Sequence, residues 1–562
     1  MNYNPTNPLI IQSDRSILLE VDNPLFEPAR DQLNRFAELE KSPEHIHTYR
    51  ITPLSLWNAA ASGLQASEII SQLHQFSKYE IPQNILVEIQ EHVNRFGRIK
   101  LVKENNHYLL VSEDQALLAQ IWNNRAIRPL LKNKPDRNTI QIEGLMRGHV
   151  KQALIKIGFP VQDLAGYVEG DFFKTSFRKR MLDNRALIIR QYQREAIDAF
   201  YMHGDVSGGS GVLVLPCGAG KTIVGIGVIT ELKMKTLILS TSTVAVRQWI
   251  HEFLDKTTIS EADIGEYSGE NKSIRPITVT TYQMVTYRRR KTKEFPHFQL
   301  FNQQNWGLII YDEVHLLPAP IFRVTAELQA RRRLGLTATL VREDGREDDV
   351  FSLIGPKKYD VPWKTLEKQG WLAQAICTEI RVNLPPHLKM QYAIATNRTQ
   401  FRISSENPDK FPVLMNLLQH HNNDRILIIG QYIQQLTILA GQLNLPLITG
   451  KTANRERINL YTRFRTGEIT QLIVSKVGNF AIDLPDANVL IQISGTFGSR
   501  QEEAQRLGRI LRPKNNGSLA HFYTLITRDS KEQDFAANRQ LFLTEQGYSY
   551  EIKDALEFVV NE

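Results

Sequence analysis

Cysteine is the scarcest resource of this chain: only Cys217 and Cys377 occur in 562 residues. Two distant thiols exclude a disulfide framework and any cysteine-ligated zinc or iron–sulfur centre, and they suit a reducing compartment. No uninterrupted apolar run approaches the roughly 18 residues that span a bilayer. Met1 to Ile17 is polar, with Pro5 and Pro8 where an export leader would carry its apolar core, so no membrane contact and a cytoplasmic, nucleoid-associated location are expected. Repeats and low-complexity segments are missing as well. Charge of one sign is not in large excess: 68 Lys plus Arg against 60 Asp plus Glu leave a net +8, which permits a polyanionic partner without demanding one. What the chain does hold is apolar material, 42 % of its residues, enough for several cores.

One further absence falls inside the most informative motif. Val212-Leu213-Val214 is an apolar strand running through Leu215, Pro216, Cys217, Gly218, Ala219 and Gly220 into Lys221-Thr222, where a helix begins. This is a nucleotide phosphate cradle. Gly218 and Gly220 let backbone N–H groups approach phosphate, the helix N-terminus adds positive dipole, Lys221 reaches the β- and γ-phosphates, and the Thr222 hydroxyl ligates Mg²⁺. Leu215 stands where the strict pattern has its first glycine.

A second strand supplies the acidic half. Trp306 to Tyr311 is a run of large apolar residues typical of a buried parallel strand, and it ends in Asp312-Glu313-Val314-His315. Carboxylates at the C-terminal end of such a strand lie where open α/β sheets bind ligands. Asp312 is the candidate second Mg²⁺ ligand, and Glu313 the candidate base for the water that attacks the γ-phosphate.

Organisation follows from periodicity. Residues 1–130 read as an α+β N-terminal domain, with helices near 54–60, 66–76 and 84–96 and a small hairpin at 98–111. Residues 131–180 read as a second short region and linker. From 181 to 365 strands alternate with helices in a doubly wound, parallel-sheet lobe that binds ATP, and from 366 to 562 the alternation resumes without a second cradle. In that second lobe the stretch from Arg381 to Lys410 reads as polar loop with a short helix. Arg500 to Arg512 reads as a helix that sets Gln505, Arg509 and Arg512 on neighbouring turns of one face. An arginine brought from one lobe to phosphates held by the other couples hydrolysis to closure. Ser240, Thr241, Thr280 and Thr281 place hydroxyls at strand ends, suited to nucleic-acid phosphate contacts that carry no sequence information. Arg288 to Lys293 and Arg331 to Arg333 are basic runs, as compatible with a solvated face as with DNA.

Together these pieces resemble a superfamily-two helicase of the DExH branch with two RecA-like lobes, and specifically the XPB family of DNA-repair helicases. The resemblance is carried by Leu187 to Gln193, the cradle with its missing glycine, Asp312 to His315, Gly335 to Asp344, Ser475 to Asn479 with Asp483 to Pro485, Gln505 to Arg512, and Tyr49 to Trp57 near the N-terminus. It implies an ATP- and Mg²⁺-dependent DNA helicase of three-prime to five-prime polarity, acting in repair on single-strand and duplex junctions. It further implies that Arg190 and Gln193 belong to an adenine-reading segment with Gln193 as base reader, that Arg247, Gln248 and Trp249 lie along the tracked strand, and that Thr337 and Thr339, with Ser475 and Lys476, link nucleotide state to strand binding. Arg342, Glu343 and Asp344 match a triplet used in strand separation, and residues 149–167 match a region for distorted DNA. A thumb-like insertion would be small or rearranged here. A repair nuclease or other repair protein is an open alternative as partner. Three other functions stay open on the residues alone: a duplex translocase or annealing motor, a nucleic-acid-binding scaffold with a silent ATPase, and an RNA motor.

Overall fold

The computed structural model describes residues 3–43, 45–288, 295–329, 331–339, 345–475, 487–495, 503, 506–508, 510–511, 519–548 and 550–558. The chain forms two compact units, Met1–Leu215 with Gly220–Val361, and Pro362–Glu562 with the loop Pro216–Ala219.

The cradle strand belongs to a seven-stranded sheet of Ser210–Val214, Thr236–Ser240, Ile264–Tyr267, Ile277–Thr281, Leu308–Asp312, Arg332–Thr337 and Lys357–Asp360. Numbered along the chain, its strands lie in the order third, fourth, second, fifth, sixth, first, seventh, and every neighbouring pair is parallel. Parallel strands are covered by helices on both faces, which is why they read as unbroken apolar runs: Leu308, Ile309, Ile310 and Tyr311 are all fully buried. Helices Lys221–Leu232 and Thr243–Lys256 follow the first two strands.

The second unit repeats the plan. Its sheet of Ala375–Val382, Ile426–Gly430, Leu447–Ile448, Gln471–Ser475, Val489–Gln492, Ala520–Thr527 and Tyr550–Asp554 is again wholly parallel. The fold is therefore the expected one, two parallel-sheet lobes preceded by an α+β region. The stretch 381–410 differs from its expectation. It holds two helices, Pro386–Ile394 and Asn397–Ser405, rather than a loop, and Phe401 anchors the second one in full burial.

The N-terminal region is also richer in strands than its sequence suggests. Leu9–Ile11, Ser16–Glu20, Ile46–Arg50 and Glu38–Lys41 form an antiparallel four-stranded sheet. The hairpin Ile99–Glu104 with His107–Val111 is the middle of a five-stranded sheet that also recruits Thr139–Ile142, Leu131–Asn133 and Val161–Asp163. One sheet thus takes strands from both sides of residue 130.

This region is packed onto the cradle lobe. Gly148, in helix Arg147–Lys156, approaches the helix Ala319–Glu327 so closely that a Cβ there would sit 2.4 Å from the Ala326 carbonyl oxygen. Trp57, Ile155 and Phe351 share one apolar cluster, Gln152 Nε2 donates to Asp349 Oδ1 at 2.7 Å, and Lys357 N donates to Asn58 Oδ1 at 3.0 Å. Beneath them Asp163 accepts from Arg147 at 2.7 and 3.0 Å and from Lys151 at 2.9 Å. Residues 171–178 are strapped to the same lobe by backbone hydrogen bonds to Asn305, Lys233 and Lys256.

Candidate functional site

Parallel pairing brings the chemistry to one edge. Val214 pairs with Thr337, Ser240 with Thr281, and Asp312 with Leu336, so the cradle, both hydroxyl clusters and the acidic strand all finish at the C-terminal end of the sheet. The missing glycine has a local explanation. Leu215 is fully buried and its N–H donates to the Thr337 carbonyl at 2.9 Å, so at this position the chain is still paired as strand and the turn starts later. Gly218 and Gly220 then adopt φ of 82° and 83°, a left-handed conformation that favours glycine. At Gly220 a side chain would also collide with Gln193, whose Nε2 would lie 2.6 Å from the added Cβ.

Gln193 is buried beside the cradle and caps its own helix, Gln191–Tyr201, accepting from Arg190 N at 3.0 Å, while the Arg190 guanidinium donates to the Tyr192 hydroxyl at 3.0 Å. The segment expected to read adenine is thus placed against the last glycine of the phosphate loop.

Lys221 and Glu313 join the two halves of the site: Nζ lies 3.2 Å from Oε1, with both side chains mostly shielded. Glu313 has φ of 51°, uncommon for a non-glycine residue and of the kind that collects at functional sites. Its Oε2 is buried without a hydrogen bond. Asp312 is held by two donors on a single oxygen: Ser240 Oγ and Trp249 Nε1 each reach Oδ2 at 3.0 Å, and the Tyr282 hydroxyl donates to the Asp312 carbonyl at 2.8 Å. Burial, and next the charge of Glu313, push the Asp312 carboxyl up to about 6, against the pull of Trp249, Lys221 and Ser240. Two adjoining carboxylates, one raised and the other with an orphaned oxygen, form a donor set that fits a hard divalent cation. Thr222, the second expected ligand, is half-buried at the start of helix Lys221–Leu232.

A relay leads away from the acidic pair. His315 Nδ1 lies 3.5 Å from Glu313 Oε2 and 2.7 Å from Thr337 Oγ1. Because the Thr337 hydroxyl donates to the Thr339 carbonyl while accepting from Thr339 N at 3.1 Å, the imidazole Nδ1 is the donor in its contact with Thr337. Both threonines are buried.

Several residues expected to touch DNA have other duties. Trp249 and Ser240 are buried against Asp312, and Thr280 is fully buried with its hydroxyl donated to the Tyr267 carbonyl at 2.7 Å, so none of the three offers a surface contact. Thr281 caps a short helix, accepting from Met284 N at 3.0 Å. Arg247 and Gln248 are exposed, Thr241 is half-exposed, and Ser475 is buried. Arg342, Glu343, Asp344, Lys476, Gln505, Arg509 and Arg512 lie outside the described residues. His315 and Tyr282 had no role on sequence grounds; the position of His315 in the acidic motif was the only signal available.

Comparison with known proteins agrees with this geometry. The model of the ERCC3/RAD25/XPB C-terminal helicase matches residues 366–561, that of the type III restriction enzyme res subunit matches 186–342, and that of a helicase conserved C-terminal domain matches 9–135. The chain is 53% identical over 549 residues to the "DNA 3'-5' helicase XPB" of Kineococcus radiotolerans, covering 98% of this chain and 96% of that protein. It is 52% identical to the protein of the same name in Mycobacterium tuberculosis, covering 98% of each. It is also 35% identical to the "General transcription and DNA repair factor IIH helicase/translocase subunit XPB" of Encephalitozoon cuniculi, covering 97% of this chain and 83% of that protein.

Proposed function

This chain belongs to the XPB family of DNA helicases, and on that premise we propose how its residues divide the work of an ATP-dependent DNA helicase acting in repair. The observation that carries the proposal is the Lys221–Glu313 pair, which sets the phosphate-binding lysine and the base side by side at the sheet edge. The loop Pro216–Gly220 cradles phosphate with backbone N–H groups, and Lys221 neutralises the β- and γ-phosphates. Thr222 and Asp312 would hold Mg²⁺, which when bound bridges the phosphates and offsets their charge. Glu313 orients the attacking water and takes its proton. Phosphate arriving at Lys221 competes for the ammonium and releases Glu313 for that task, so the ion pair keeps the base idle until nucleotide is present. Arg509 or Arg512 stabilises the charge that develops in phosphoryl transfer. Gln193 reads the base, and the route from Glu313 through His315 to Thr337 and Thr339 reports nucleotide state to the strand-binding surface.

DNA, met as single strand beside duplex, is the proposed partner, with Arg247, Gln248 and Thr241 contacting its backbone. Among the described residues no helix is long and apolar enough to cross a membrane. The test is turnover by Glu313→Gln protein with and without forked DNA: hydrolysis at the unmodified rate would remove Glu313 from its role. Because the microsporidian relative is named a helicase/translocase, translocation without net opening is the second reading. Forked-duplex displacement compared with triplex displacement separates the two.

A further inference from the structure

Trp249 was expected beside the tracked strand, yet its indole is 2 % exposed and points at the metal ligand. Three observations meet on it. Its N–H donates to Asp312 Oδ2 at 3.0 Å, the oxygen that also receives Ser240. The far edge of its ring lies over the helix that opens with Lys221 and Thr222: a Cβ on Gly225 would stand 2.6 Å from Cη2 and 3.3 Å from Cζ3. Its own helix, Thr243–Lys256, presents Arg247 and Gln248 outward on the turn that sends Trp249 inward.

We propose that Trp249 is a positioning residue that fixes the distance and angle between Asp312 and the phosphate-loop helix, and so sets the affinity of the site for magnesium-bound nucleotide. The argument rests on reading Asp312 as the magnesium ligand. Two neutral donors on Oδ2 stop the carboxylate from rotating and leave Oδ1 free to face the cation. The ring, wedged between the acidic strand and a helix in which only glycine fits at position 225, prevents Thr222 and Asp312 from drifting apart. An indole serves both purposes because it joins a large flat apolar body to one N–H donor; phenylalanine fills part of the space and donates nothing. Arg247 and Gln248 share the rigid helix with Trp249, so a load placed on them by a DNA backbone reaches the metal ligand through one side chain.

The test measures binding without turnover. A fluorescent ADP analogue is titrated onto full-length protein at a series of Mg²⁺ concentrations and at none. For Trp249→Phe the Mg²⁺ concentration at half-maximal binding is expected to rise about tenfold, the scale of a lost hydrogen bond to a charged group, with metal-free affinity unchanged. Gly225→Ala, which drives a methyl into the indole, should raise it too, and combining it with Trp249→Phe should give less than the product of the two effects, because the shorter ring clears the methyl. An unchanged Mg²⁺ midpoint in Trp249→Phe protein of normal melting temperature overturns the proposal. If that variant does not fold, Ser240→Ala removes the other donor at little cost in volume, and an unchanged midpoint there overturns it equally. Asp312→Asn separates the two levels: if it keeps the original Mg²⁺ midpoint, the assignment of Asp312 itself fails, whereas loss of Mg²⁺ dependence in Asp312→Asn with none in Trp249→Phe sinks only the positioning role.

Discussion

The two seven-stranded sheets have the same strand order, third, fourth, second, fifth, sixth, first, seventh, yet only one ends in chemistry. In the cradle lobe the fifth strand finishes at Asp312, with Glu313 beyond it and Lys221 3.2 Å from that glutamate. In the second lobe the fifth strand finishes at Gln492, and the residues beyond it are Ile493 and Ser494. There a lysine also meets a glutamate, but as a closed pair: Lys410 Nζ contacts Glu532 at 2.7 and 2.8 Å and donates to the Ile493 carbonyl at 2.9 Å, with both side chains at most 1 % exposed. The difference teaches what separates a site from a brace. Lys221 and Glu313 remain partly accessible, sit on a glycine turn and a left-handed residue, and can exchange partners when phosphate arrives. Lys410 and Glu532 have every partner they need inside the fold.

The comparison breaks or sharpens on four measurements. Lys221→Ala and Glu313→Gln should lower DNA-stimulated ATP turnover by about 100-fold to 10,000-fold while the melting temperature and nucleotide-free DNA affinity hold, read by phosphate release, calorimetry and fluorescence anisotropy. Glu532→Ala should do the converse, destabilising the second unit by about 3–5 kcal/mol by stranding a buried ammonium, whereas Lys410→Met with Glu532→Leu should recover most of the loss; hydrogen exchange of the second sheet resolves it from the first. If Glu532→Ala instead lost turnover with stability intact, the brace would be part of the engine. Magnesium affinity should be flat above pH 7 and fall as pH drops through about 6, where the raised Asp312 carboxyl takes up a proton that competes with the cation, approaching tenfold per pH unit below. Since folding raises this carboxyl above its ordinary range, the metal-free lobe should at the same time gain stability as pH falls through that window. Gly148→Ala, which puts a methyl 2.4 Å from the Ala326 carbonyl oxygen, should cost about 1–3 kcal/mol, and Gly467→Ala, at a helix end where nothing lies within 4 Å, less than that.

Much of the motor was legible because fully buried parallel strands announce themselves. Leu308 to Tyr311 and Ile426 to Ile429 are apolar without interruption, so their place and their ends could be read directly. The N-terminal sheets could not, because Glu38–Lys41 and Ile46–Arg50 are short antiparallel strands half covered and rich in charge, and their pairing is set by contacts across the chain. The helices at 386–405 escaped for a related reason: prolines at 385 and 386 read as loop, although proline is well tolerated in a first helical turn. At the site, residue types conveyed the cradle and the acidic pair, while the partner of Trp249 stands 63 positions further on and no spacing rule reaches that far. The same limit misassigned Ser240 and Thr280, whose hydroxyls face inward.

The docking of helix Arg147–Lys156 bears on how this protein can be dissected. A version beginning at residue 181 would retain every proposed ATP-contacting side chain, yet it would uncover Phe351 and Ala326 to solvent and leave Asp349 without Gln152. Such a shortened engine is expected to be sticky and fragile rather than hyperactive, which makes the leading third of the polypeptide a permanent chassis plate and not a detachable accessory.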